Sequence, residues 1–316
     1  MPYYSLEKLQ EYRQQSELLP RQELPPFQVN ERHRAPSLYR PSPALADAVN
    51  VALRLGMPLL LTGEPGTGKT ELAYHLSWFF GQEKPLEFHA KTSSVASDLF
   101  YRYDALGHFQ YSQSSREVLT KEELERRFIQ YVGLGEAIRA NRRCLVLIDE
   151  IDKAPRDLPN DVLHAIDKLE FQVPELDNKP FKSDPENKPV VIITSNSEKN
   201  LPDAFLRRVV YFHIEFPDSE EMLKILAPKI HGTKEEELRA LLAHFYKIRE
   251  QKLNKKPATA ELIQWASCLH ETGFPLSRLN NTKRLSDKEI EALQSSYSIL
   301  AKNRDDLATL LKVIKD

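Results

Sequence analysis

Eight consecutive residues, Gly63-Glu64-Pro65-Gly66-Thr67-Gly68-Lys69-Thr70, carry the most specific chemistry in the chain. They satisfy the spacing G-x-x-x-x-G-K-[ST] in full, the pattern of a loop that cradles phosphates. Three of the chain's 10 glycines fall within it, and glycine lets the backbone curl until successive N–H groups converge on an anion. The loop feeds the first turn of a helix, through Glu71, and the N-terminus of a helix favours negative charge. The Lys69 ammonium is placed to reach the β- and γ-phosphates of a nucleotide, and the Thr70 hydroxyl to ligate Mg2+. The cofactor-binding candidates are therefore Gly63, Glu64, Pro65, Gly66, Thr67, Gly68, Lys69, Thr70, Glu71 and, further on, Asp149.

Asp149 and Glu150 close the apolar run Leu145-Val146-Leu147-Ile148. Carboxylates that end a buried strand emerge where α/β sheets bind their ligands, beside the phosphate loop. Asp149 is expected to hold Mg2+ directly or through water, which makes Thr70 and Asp149 the metal candidates. Glu150 is expected to polarise an attacking water as general base, favouring hydrolysis over transfer to a small acceptor. A second apolar run, Val190 to Ile193, ends in Thr194-Ser195-Asn196. A short amide at Asn196 can hydrogen-bond the attacking water or the γ-phosphate, with Thr194 and Ser195 the competing polar groups.

The elements that must hold these residues follow from the hydrophobic pattern. Short apolar runs at 57–63, 86–90, 143–148, 190–196 and 209–216 read as strands, and amphipathic segments between them read as helices. That alternation predicts an α/β fold with a parallel sheet and crossover helices. Pro43 to Gly56 reads as a helix with a glycine C-cap. Lys91 to Gln113 shows no clean period and reads as a short helix with a loop insertion. The Thr120-Lys121-Glu122-Glu123 capping box predicts a helix running on through Leu134 to Asn141. Residues 171–189 read as a hairpin or surface loop. Beyond Phe216-Pro217-Asp218 the strands stop, and helices are expected from Asp218 with Glu221, from Thr233 with Glu236, over Thr259 to His270, over Ser286 to Lys302, and at the end of the chain. The domains expected are a proline-rich arm over 1–40, with one short helix near Ser5 to Glu17, an αβα core over 41–217 and a small all-helical domain over 218–316.

Composition narrows the class. Lys and Arg total 44 against 46 Asp and Glu, a formal charge of −2 over 316 residues. That balance argues against a protein built to coat nucleic acid. The longest uninterrupted apolar run, Cys144 to Ile148, falls far short of the roughly 20 residues that span a bilayer. Cys144 and Cys268 are the two cysteines, too few and too far apart for a disulfide scaffold or zinc site. With no apolar leader visible near the start, the expectation is a soluble cytoplasmic protein.

Together, GEPGTGKT, LVLIDEIDKAP, IITSN and LPDAFLRRVVYFHIEFP resemble the AAA+ ATPases, and within them the MoxR group. The resemblance covers roughly residues 40 to 316. It implies an αβα ATPase core with a helical lid, ATP bound between them, and self-assembly, usually into hexameric rings. It also implies chaperone-like maturation or remodelling of a protein client, often beside a partner with a von Willebrand A domain. By the same resemblance Asn196 matches the sensor-1 position. Arg208 matches the arginine finger that reaches a neighbouring subunit, with Arg207 beside it as the other choice. The family's usual Asp-Arg-Phe reads Arg207-Arg208-Val209 here. The lid helix of the family opens with a sensor-2 arginine, where this chain has Glu261. The aromatic residues Phe100, Tyr101, Tyr103, Phe109 and Tyr111 occupy the family's insertion, either lining a pore or packing onto the core. Two alternatives to a remodelling motor remain: an ATP-dependent oligomerisation switch with slow hydrolysis, and the motor of a nucleic-acid-processing complex.

Overall fold

The structure is a computed structural model that describes residues 35–115, 119–196, 200–230 and 232–314. The helix expected near Ser5 and nearly all of the proline-rich arm lie outside these residues. The central element is a five-stranded, wholly parallel sheet. Its strands are β1 (Leu59–Gly63), β2 (Leu86–His89), β5 (Leu145–Asp149), β8 (Val190–Thr194) and β9 (Val210–Ile214), in the spatial order β2-β5-β8-β1-β9. Leu59 pairs with Ile192 on one side and Val210 on the other, so β1 lies inside the sheet. All five residues of β1 are buried, as expected of a parallel strand covered on both faces.

The period of two along these strands divides the core into two layers. Leu60, Val146, Ile148 and Ile193 face a cluster with Leu134, Val162, Ile166 and Phe205. These come from α5 (Gly133–Ala140), α6 (Leu158–Lys168) and α7 (Asp203–Leu206). Leu59, Leu61, Leu145, Leu147 and Ile192 face Leu45, Val49, Leu72 and Leu76, from α1 (Pro43–Leu55) and α2 (Lys69–Phe79). Helix α1 starts at Pro43 behind Ser42, whose Oγ accepts the Leu45 N–H at 3.2 Å, and ends at Gly56 in the left-handed region.

The insertion between β2 and β5 departs from expectation. The short helix expected there is α3 (Ala105–Ser114), but it follows a strand, β3 (Tyr101–Tyr103), and in place of one continuous helix come α4 (Lys121–Phe128) and β4 (Ile129–Tyr131) before α5. The capping box at Thr120 and Glu123 is present, but the helix stops because Ile129 to Tyr131 pairs antiparallel with β3, Tyr131 opposite Tyr101. A strand partner outweighs helix propensity in a segment of β-branched and aromatic residues. The expected hairpin is β6 (Glu170–Val173) with β7 (Lys179–Lys182). Phe100 stacks on Phe171 at 4.7 Å, and Tyr101, Tyr103 and Tyr131 join the same small cluster. Phe109, by contrast, is exposed. The insertion's aromatics therefore divide, and most of them pack.

The C-terminal part is helical: α8 (Ser219–Leu226), α9 (Glu235–Arg249), α10 (Thr259–Glu271), α11 (Asp287–Leu300) and α12 (Arg304–Val313). Their apolar faces meet in a core of their own around Trp265, Phe245 and Tyr297. Asp218 caps α8 by accepting the Glu221 N–H at 2.8 Å, as the sequence implies. Helix α9 starts one residue later than expected. Lys234 takes the cap position, its N–H donating to Glu237 at 3.0 Å, because the Thr233 hydroxyl is engaged by His270 Nδ1 at 3.1 Å.

Candidate functional site

The phosphate loop leaves β1 at Gly63 and enters α2 at Lys69. Gly63, Gly66 and Gly68 all have positive φ. A side chain at Gly63 would run into the Ile214 carbonyl oxygen at 2.4 Å, and one at Gly66 would meet Ala258 at 2.8 Å. Thr67 folds its hydroxyl onto the Glu64 carbonyl at 2.9 Å, closing the turn through Pro65. Glu71 lies exposed in the first turn of α2.

Lys69 is buried, and its Nζ donates to the carbonyls of Gly63 and Glu64 at 2.9 Å each. Burial lowers its pKa, an effect opposed by the carboxylates of Asp149, Asp152, Glu150 and Glu64. An ammonium held inside a loop by neutral acceptors is poised for a stronger anionic partner.

The carboxylate pair is built into the same edge of the sheet. Thr70 Oγ1 donates to Asp149 Oδ1 at 3.0 Å, and Thr194 Oγ1 donates to the same oxygen at 2.6 Å. His89 Nδ1 stands 3.4 Å from the other oxygen, Oδ2. Glu150 adopts φ of 56°, a left-handed conformation uncommon for a non-glycine residue. Its N–H donates to Thr194 Oγ1 at 2.9 Å. Its carboxylate accepts from Asn196 Nδ2 at 3.1 Å and pairs with Lys153 at 2.5 Å. The Asn196 N–H in turn donates to Asp152 at 3.2 Å. Asp149, Glu150, Asn196, Lys69 and Thr70 therefore converge on the carboxyl ends of β1, β5 and β8.

Arg207 and Arg208 do not join them. Both are exposed just beyond α7, and among the described residues neither guanidinium bonds to a site residue. Glu261, which the resemblance sets where the family carries its sensor-2 arginine, accepts the Ala258 N–H at 3.1 Å at the start of its own helix.

Two site residues escape the sequence reading. Thr194 was legible only as one of three polar groups at a strand end, yet its single hydroxyl joins Asp149 to Glu150. Arg249, at the end of α9, donates to the Glu64 carboxylate at 2.8 Å across 185 positions. No motif marks it.

A five-stranded parallel sheet with a helical C-terminal part, bearing a phosphate loop on an interior strand, is the AAA fold. Residues 58–209 match the AAA domain (dynein-related subfamily). No curated protein matches the chain. Matching solved structures include the crystal structure of the FIGL-1 AAA domain in complex with ADP, 18% identical with a TM-score of 0.39, the match covering 82% of this chain and 72% of that one. Among the described residues no helix is long and apolar enough to cross a membrane.

Proposed function

We propose that the protein is a Mg2+-dependent ATPase of MoxR type that assembles with itself and uses hydrolysis to remodel or mature a protein client, beside a partner with a von Willebrand A domain. The observation that carries the ATPase reading is the bonded chain Thr70–Asp149–Thr194–Glu150–Asn196, which ties the phosphate loop to two strand ends. In this reading residues 41–217 are the ATPase core, 218–316 the lid, and 1–40 an N-terminal arm.

The residues fit both parts of the cofactor. Among the described residues the buried Lys69 ammonium bonds to the carbonyls of Gly63 and Glu64, which suits a polyphosphate. Thr70 Oγ1 and Asp149 Oδ1 are hard oxygen donors 3.0 Å apart, which suits Mg2+ held by a hydroxyl, a carboxylate and waters. Bound there, the metal would neutralise phosphate charge.

The chain's own groups do the rest. Loop N–H groups and Lys69 bind and orient the phosphates. Thr194 fixes the backbone of Glu150, and Asn196 and Lys153 orient its carboxylate, so that the base takes a proton from water at a set position. The second N–H and the Oδ1 of the Asn196 amide then steer the water or the terminal phosphate. Arg208, with Arg207 as its alternative, supplies positive charge to a neighbouring subunit's site.

Lys69→Ala is expected to abolish nucleotide binding. Glu150→Gln is expected to keep ATP bound while turnover falls at least ~100-fold, as loss of a general base implies. Normal hydrolysis by Glu150→Gln would remove Glu150 from its role. ATP-driven assembly with little turnover in the unaltered protein would replace the motor by a switch.

A further inference from the structure

The phosphate loop contains a carboxylate in an unfavourable place. Glu64 is the second residue of the cradle, and its own carbonyl helps hold Lys69. Its side chain is half exposed, whereas that of Arg249 is only 10% exposed. Arg249 lies with its guanidinium 3.5 Å from the centre of the Phe216 ring. One arm of the guanidinium donates to the Pro257 carbonyl and the other to Glu64 Oε2 at 2.8 Å. The side chain is thus immobilised by the helical part and aimed at the loop. Ala258, next to Pro257, also abuts Gly66. Helical part and phosphate loop therefore meet along one seam, and the Arg249–Glu64 ion pair lies on it.

We propose that Arg249 is a positioning residue for the phosphate loop: it neutralises and anchors the Glu64 carboxylate, so that tight binding of a nucleotide polyphosphate requires the helical part to be seated on the loop. The inference rests on the nucleotide-binding reading of the site. A polyphosphate entering the cradle brings several negative charges to within a few ångströms of Glu64. Unpaired, that carboxylate opposes the ligand; paired with a rigid guanidinium, it does not. By linkage, whatever the seated helical part adds to nucleotide affinity, bound nucleotide returns to its seating.

The test is direct binding of Mg-ADP, which involves no turnover, by calorimetry on the full chain. Arg249→Met keeps an apolar stem over Phe216 but removes the charge; its affinity should fall about tenfold, and the deficit should shrink as salt is raised. Adding Glu64→Gln to Arg249→Met should recover most of the loss, because the carboxylate that needed neutralising is gone. Glu64→Gln alone, which leaves the buried arginine packed, should bind ADP more tightly than the unaltered protein. The proposal is overturned if Arg249→Met binds normally, if the double variant stays as weak as Arg249→Met, or if Glu64→Gln alone weakens binding. Failure of the unaltered protein to bind Mg-ADP, or undiminished binding by Lys69→Ala, would instead overturn the nucleotide-site reading and this inference with it.

Discussion

One hydroxyl does the joining at the centre of the site. Thr194 Oγ1 donates to Asp149 and accepts from the Glu150 backbone, so the metal candidate and the base candidate share a single anchor. Thr194 is buried, and Thr194→Val fills the same volume while leaving the Glu150 N–H without its partner. An unsatisfied buried donor costs about 1–3 kcal/mol, and here that cost falls on the uncommon backbone conformation that aims Glu150. Turnover by Thr194→Val should therefore drop on the order of tenfold, with ADP affinity held within about threefold, and Thr194→Ser should restore turnover. Equal losses in both parameters would mean that Thr194 merely supports the fold. The contrast with Asn196 is instructive. Its type and position at a strand end were readable, whereas the role of Thr194 depends on where a backbone N–H from another strand arrives.

At the scale of elements, what the sequence discloses follows the kind of force that makes each element. The core strands and α2 were readable because burial on both faces writes continuous apolar runs, and the phosphate loop because its glycines are required by backbone geometry. Strand β4 was hidden: Ile129 to Tyr131 follows a sound capping box, and only pairing with distant Tyr101 to Tyr103 turns it from helix to strand. Arg249 was hidden for the same reason, since its partner lies 185 positions away. The helical part carries its own consequence of burial. His244 in α9 sits against Trp265 and bonds to the Tyr297 hydroxyl at 2.6 Å. Desolvation, reinforced by Lys247, depresses its pKa to about 4. Unfolded, the imidazole titrates near 6.5, so between pH 6.5 and 4 the unfolded chain binds more protons. Stability contributed by neutral His244 is full above pH 6.5 and is lost as pH falls toward 4. Urea unfolding at pH 7 and pH 5 should show the unaltered protein losing about 2 kcal/mol more than His244→Gln over that interval. Parallel losses in the two proteins would mean that His244 is not buried neutral.

At the scale of the whole molecule, an arginine finger at Arg208 or Arg207 would make each site the work of two chains. The loop, the carboxylates and Asn196 come together within one chain, while both arginines stand exposed beyond α7, with no bond to that site among the described residues. A head-to-tail contact that repeats around a ring would present this surface to the next chain's phosphate loop. ATPase activity per chain should then rise with protein concentration as assemblies form, and Arg208→Ala should cost about 10^3-fold in turnover, more than Arg207→Ala. Complementation separates shared sites from self-contained ones. Arg208→Ala and Glu150→Gln are each expected to be inactive alone. When the two are mixed before assembly, some interfaces pair an intact Glu150 with an intact neighbouring Arg208. Random equimolar mixing makes about one interface in four complete, so activity should return to roughly a quarter of normal. An arginine acting within its own chain cannot be supplied by a neighbour, and the mixture would then stay as inactive as its parts.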